Sequence, residues 1–191
     1  MPEYRRAYEP GGTFFFAVVS HRRRRFLCDD LARRLLRESL IETRTARPFD
    51  ILAMVLLPDH LHYLWRLPED DADFSTRWAR AKKAFTERWT AAGGVEGSVT
   101  ISRRRHRERG VWHRRFREHT IRDDRDFRRH CDHVHYNPVK HGLVSCPHAW
   151  PHSTFGDRVR RRAYGGDWLC VCRVPEREPA RFDDLDETAM E

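Results

Sequence analysis

Residues 50–67 read DILAMVLLPDHLHYLWRL, from Asp50 to Leu67. The first half, Asp50 to Leu57, is an almost unbroken apolar run of strand length, as expected of a central strand. Pro58-Asp59 interrupts it. From His60 to Leu67 the pattern alternates: His60, His62, Leu64 and Arg66 share one face, and Leu61, Tyr63, Trp65 and Leu67 the other. A connection of about two residues leaves the strands no room to run parallel, so the segment predicts an antiparallel hairpin.

Upstream, Asp29 or Asp30 can cap a helix running to about Thr43, with Leu31, Leu35, Leu36 and Leu40 at helical spacing. Before it, Gly11-Gly12 turns the chain into a β-rich run, TFFFAVVS, from Thr13 to Ser20. Downstream, Asp73 or Ser75 caps a helix to about Trp89, with Phe74, Trp78, Ala81 and Phe85 on its apolar side. Residues 91–109 read as a basic insertion, starting Gly-rich and ending in RRRHRER. Val111 to Thr120 can hold a short strand. A helix from about Asp124 to Asn137 follows, and Pro138 is expected to stop it. The order strand, helix, strand, strand, helix, strand, helix predicts an α+β fold: a ferredoxin-like antiparallel sheet with helices on one face. Residues 1–170 form one domain, and the acidic residues 171–191 are expected to be a flexible tail.

The chain carries a net charge of +8 and a pI near 9.7. Such a balance favours a polyanionic partner and speaks against a small metallohydrolase unrelated to nucleic acid. Lysine occurs only at 82, 83 and 140; every other basic residue is arginine, which makes bidentate contacts to phosphate. Residues 103–129 hold twelve arginines against five acids. A phosphate-tracking surface is expected there, with Arg114, Arg115 and Arg117 first, and Arg103 and Arg104 beside them. Trp112, Phe116 and Trp78 are candidates for stacking on bases, although Trp78 also fits a core position.

Five cysteines without a CxxC pair argue against a disulfide framework. Cys170, Cys172, His148 and His152 can be drawn as a metal site, but two cysteines at i, i+2 read better as small buried hydrophobes. No apolar run is long enough to span a membrane, no signal peptide is visible, and a cytoplasmic location is expected.

Two segments carry the chemistry. In Pro58-Asp59-His60-Leu61-His62, strand periodicity points both imidazoles from one face, a half-site for a divalent metal. In Cys131-Asp132-His133-Val134-His135-Tyr136-Asn137-Pro138-Val139-Lys140-His141-Gly142, a helix-stop signal explains Pro138 and Gly142 but not Asn137, nor the crowd of His and Tyr before it.

With these stand Glu3-Tyr4-Arg5-Arg6, Gly11 to Phe16, Arg47-Pro48-Phe49, Asp73 to Trp78, Arg115-Phe116 with Glu118-His119, and Trp150 to Phe155. In this order, over roughly residues 3–168, the series resembles the REP-associated tyrosine transposases, single-tyrosine HUH nucleases. The resemblance implies that His60, His62 and Asn137 hold Mg²⁺ or Mn²⁺, which polarises a phosphate of single-stranded DNA. It implies that a helix tyrosine attacks phosphorus, leaving a 5′-phosphotyrosine link and a free 3′-OH. It implies a palindromic hairpin as the partner DNA, bound by a monomer or a homodimer.

The sequence departs from the family at one position. The family nucleophile lies four residues before the metal-binding Asn, and here that position is His133. The nearest tyrosine is Tyr136, about 60° round the helix and ~4.5 Å further along it. Three readings stay open: Tyr136 as nucleophile, His133 as nucleophile or as base for water with its ordinary pKa near ~6.5, or a protein that binds DNA without strand transfer.

Overall fold

The computed structural model describes residues 9–105 and 108–170, together with 180, 182 and 185. The expected motif at Glu3 to Arg6, Arg107, Cys172 and most of the acidic tail lie outside these residues.

Strands β1 (Thr13–Val19), β2 (Asp50–Leu56), β3 (His60–Arg66) and β4 (Arg117–Thr120) form one antiparallel sheet in the order β2-β3-β1-β4. That is the ferredoxin-like order. The decisive hairpin forms as expected, with Leu56 opposite Leu61 and one register shift between Ile51 and Ala53. Leu52 is the residue left without a partner at the shift.

Helices α1 (Asp30–Ala46) and α2 (Phe74–Ala91) cover one face of the sheet. Phe14, Phe16 and Val18 of β1 and Leu61, Tyr63 and Trp65 of β3 point into this face, as period-2 strands require. Trp78 of α2 stacks on Trp65 with ring centroids 4.3 Å apart, so Trp78 belongs to the core. Trp112 is core as well: it packs on Phe85 and is not free to stack on a base. Phe116 is partly buried against the same cluster. Asp73 caps α2, its Oδ1 accepting from the Thr76 amide at 2.9 Å.

Helix α4 (Asp124–Lys140) lies on the opposite face, which corrects the expectation of helices on one face only. Phe15, Ala53, Val55 and Leu64 meet Cys131 and Val134 there. The alternation of β1 explains it: Phe14 and Phe16 face α1 and α2, so Phe15 between them must be covered from the other side.

Pro138 does not end α4. It removes one backbone donor near the helix end, but the helix continues to Lys140. The stop is Gly142, at φ +64°, where a left-handed residue lets Leu143 N reach Pro138 O at 2.9 Å. The basic insertion holds a short helix, α3 (Ile101–Arg105).

The outer edge of β2 is covered by residues 150–154. Leu56 N donates to His152 O at 2.8 Å, Thr154 N to Met54 O at 3.0 Å, and Trp150 Nε1 to Leu56 O at 2.9 Å. An open edge is thereby closed. Helix α5 (Phe155–Arg160) follows.

Candidate nucleic-acid and metal site

β3 and the last turns of α4 bring the expected residues together. His60 and His62 point toward α4, with ring centroids 5.0 Å apart. His62 also meets His133 at 5.2 Å and Phe15 at 5.3 Å. Phe15 touches His133 as well and forms an apolar floor. Asn137 donates through Nδ2 to His133 Nε2 at 3.2 Å. All four polar residues are buried: His60 is 5% exposed, His62 8%, His133 and Asn137 1% each.

His141 completes the group, 5.0 Å from His60. Its position within the Asn137 to Gly142 motif was the available signal, but periodicity alone gave no reason to aim it at β3. Asp59 was also missed as a functional residue. Its Oδ1 accepts from His60 Nδ1 at 2.7 Å, which fixes that tautomer and leaves Nε2 as the free donor atom. Burial would raise the Asp59 carboxyl, but the bond to His60 and the Arg23 guanidinium pull it down to about 2.

His62 and His133 are held neutral. Burial first, then the positive charge of His60, His133 and His141, holds His62 well below its usual range. Burial first, then charges including Lys140 and Arg117, pushes His133 down to about 3. His133 therefore lacks the ordinary histidine pKa on which its reading as a base rested. At neutral pH it is an uncharged imidazole, and a weak base.

A divalent cation fits the residues present. Two buried polar atoms, Nδ1 of His62 and Oδ1 of Asn137, have no hydrogen-bond partner. Buried polar atoms are rarely left so. An imidazole nitrogen and an amide oxygen are both ligands that accept a divalent metal.

Tyr136 is buried, and its ring packs against Phe182 at 5.9 Å. Phe182 also packs against His133 at 5.7 Å, so this tail residue covers the helix beside the site. Among the described residues Tyr136 makes no ring contact with His60 or His62.

The expected arginines divide. Arg117 stands on β4 opposite Ala17, close enough to His133 to act on its charge, and donates to Leu185 O at 2.7 Å. Arg114 and Arg115 are exposed on the segment leading into β4, and Arg114 lies 3.5 Å from Glu108. Arg104 is exposed on α3. The Arg103 side chain lies outside the described residues. Lys140, at the end of α4, adds a cation the arginine count did not reveal. No helix among the described residues is long and apolar enough to cross a membrane.

No family model matches the chain. Individual proteins do. The REP-associated tyrosine transposase of Escherichia coli (strain K12) is 43% identical over 169 residues, covering 88% of this chain and 91% of that protein. A relative from Haemophilus influenzae, assigned provisionally to the same family, is 38% identical over 168 residues, covering 88% of this chain and 93% of its own. A solved REP-associated tyrosine transposase bound to a REP hairpin superposes with a TM-score of 0.76, at 40% identity and 96% coverage of both chains. Identity at this level over nearly the whole of both chains, with the shared fold, leaves one conclusion: the chain belongs to the REP-associated tyrosine transposases.

Proposed function

We propose that this protein binds a palindromic DNA hairpin with adjoining single-stranded DNA, and that its strand-transfer step is lost or altered because His133 occupies the nucleophile's place. One observation carries the reading. His133, not a tyrosine, is hydrogen-bonded to Asn137 and packed on His62, while Tyr136 turns its ring to Phe182. DNA binding is supported by the family, by the solved relative bound to a REP hairpin, and by the net charge of +8.

His60, His62 and Asn137 would hold Mg²⁺ or Mn²⁺. Such a cation supplies positive charge to a phosphate oxygen and stabilises charge that develops there. The chain's own groups do the rest. Asp59 orients His60. Phe15 excludes water below the cluster. Arg117 and Lys140 add charge beside it, and Arg114 and Arg115 meet the backbone of the approaching strand. Arg103 and Arg104 extend that basic track. A phenol at 133 would stand beside Asn137 as an oxygen nucleophile; the imidazole there, pushed down to about 3, is neutral and weakly basic, and any nitrogen–phosphorus link it formed would be labile.

The retained metal ligands favour a second reading, metal-dependent nicking without a stable tyrosine adduct. A denaturing gel of the protein with labelled hairpin and single-stranded DNA, with and without Mn²⁺, separates the two. Retarded DNA on a native gel that stays uncut on the denaturing gel supports the first reading. Metal-dependent nicks without an adduct support the second. A metal-dependent protein–DNA adduct mapping to Tyr136 overturns both.

A further inference from the structure

A second cluster of metal-ligating side chains lies away from the site on β3 and α4. Cys146, His148 and Cys170 each offer one ligand atom, and all three atoms lie within 4.8 Å of one another. His148 Nδ1 is 3.2 Å from Cys170 Sγ. In a tetrahedral zinc site, Zn–S near ~2.3 Å and Zn–N near ~2.05 Å set the S···N edge at about 3.6 Å and the S···S edge at about 3.8 Å. The His148–Cys170 pair is already close to its edge, and no pair among the three atoms is wider than 4.8 Å. Cys146 and Cys170 are buried and His148 is exposed, so the two sulfurs are sheltered while the imidazole leaves a path for an ion.

We propose that in the reduced chain Cys146, His148 and Cys170 bind one Zn²⁺ ion. The ligand set is soft, two thiolates and an imidazole, and so differs in kind from the nitrogen and oxygen donors around His60. The sequence offers Cys172, two positions after Cys170, as a further thiolate. It lies outside the described residues, and the proposal stands on the other three.

Cys146 is disulfide-bonded in this structure, so its thiolate exists only after reduction. A dithiol opens the bond by exchange. It gives two electrons to the sulfur–sulfur bond and two protons to the freed sulfurs, and closes into its own disulfide. Zn²⁺ then displaces protons from the thiols it binds.

The placement gives the ion a structural task. Cys146 and His148 precede the segment 150–154 that covers the β2 edge, and Cys170 follows α5. An ion held by all three closes residues 146–170 into a loop at its base. Tyr164 within that loop donates to Asp132 of α4 at 2.7 Å, so the closed loop also braces the helix carrying Asn137. The other histidine–carboxylate cluster, His119, Asp126 and His130, has a different character. Asp126 Oδ2 accepts from His119 at 2.8 Å, its Oδ1 lies 2.9 Å from His130 Nδ1, and the cluster offers no sulfur ligand.

The test uses the full chain without a histidine tag, reduced with a dithiol, desalted under argon and equilibrated with Zn²⁺ or Co²⁺. Metal content is read after removal of free ion, and the Co²⁺ form is read for thiolate charge-transfer bands. With the first metal site emptied by His60→Ala, the expected ratio is about one zinc per chain with thiolate bands present. In that background it should fall to near zero when Cys170→Ser or His148→Ala is added, and the thiolate bands should go with it. Because His148 is exposed, its variant keeps the fold, and far-UV circular dichroism verifies this. The proposal is overturned if the reduced His60→Ala protein holds no zinc, or if it keeps its zinc after Cys170→Ser and His148→Ala are added.

Discussion

Asn137 donates its Nδ2–H to His133 Nε2 at 3.2 Å, and to the His133 carbonyl at 3.3 Å, one turn back along α4. The amide proton meets an unprotonated ring nitrogen, so this bond selects the neutral tautomer of His133, in accord with burial that pushes it down to about 3. The same pair leaves Asn137 Oδ1 turned away and without a partner. On the proposed function, one residue would thus offer an amide oxygen to a metal while holding the side chain at the position the resemblance assigns to the nucleophile.

From this pair, His133→Tyr should restore covalent chemistry. The phenol would occupy the place beside Asn137 rather than one displaced by 60° and several ångströms, a displacement that costs on the order of 10²-fold in rate. Strand cleavage in Mn²⁺ should therefore rise by at least about that factor over the wild type, with an adduct on a denaturing gel. A variant that binds hairpin and Mn²⁺ but stays as inert as the wild type would show that the nucleophile acts from elsewhere.

Metal binding and DNA binding should separate. His60→Ala removes a ligand from the cation and should abolish Mn²⁺ binding in calorimetry, leaving hairpin affinity within about 3-fold, because the affinity comes from arginines. Asp59→Asn removes the group that fixes the His60 tautomer at 2.7 Å and should weaken Mn²⁺ about 10–100-fold. Equal loss of hairpin binding in His60→Ala would refute this separation.

Arg114 and Arg115 are exposed, and each should neutralise one phosphate. Replacing either by Ala should lower the slope of log K against log salt by about 1, and by similar amounts for different hairpin sequences. Fluorescence anisotropy at several salt concentrations reads this slope. An unchanged slope in the double variant would move the DNA to another face.

The hairpin from Asp50 to Leu67 was legible because two periodicities meet at Pro58-Asp59, one apolar throughout and one alternating. That alternation also placed His60 and His62 on a common face, and helical spacing placed His133 one turn from Asn137. The side of the sheet taken by α4 was less legible. It depends on Phe15 needing cover opposite Phe14 and Phe16, and a triple Phe run reads equally well as a fully buried strand. Pro138 misled for a similar reason: its missing donor matters little in a last turn, where the stop is made by Gly142. Long-range partners such as Phe182 over Tyr136, or Cys146 beside Cys170, leave no local signal. Only the fold brings them within reach.

Arg77 supplies the last test, of the scaffold rather than the site. It is 1% exposed, and all its N–H groups find acceptors: Nε on Arg47 O, Nη1 on Asp71 Oδ1 and Asp73 O, Nη2 on Pro48 O and Asp71 Oδ2. Arg77→Ala would remove the guanidinium from three carbonyls and the Asp71 carboxylate, and should destabilise the protein by at least about 1–3 kcal/mol in urea unfolding at pH 7. The hydrogen bond from Arg77 is the largest cause holding the Asp71 carboxyl below its usual range. A carboxylate depressed in the folded state adds stability that is present above its unfolded value, near ~3.9, and is lost as pH falls through the folded value. The urea midpoints of wild type and Asp71→Ala should therefore differ most at neutral pH and converge as pH falls below about 4. Other carboxylates lower the wild-type midpoint over the same range, so the quantity to read is the difference between the two proteins. A difference that stays constant from pH 7 to pH 3 would mean that Asp71 holds the loop before α2 without its charge.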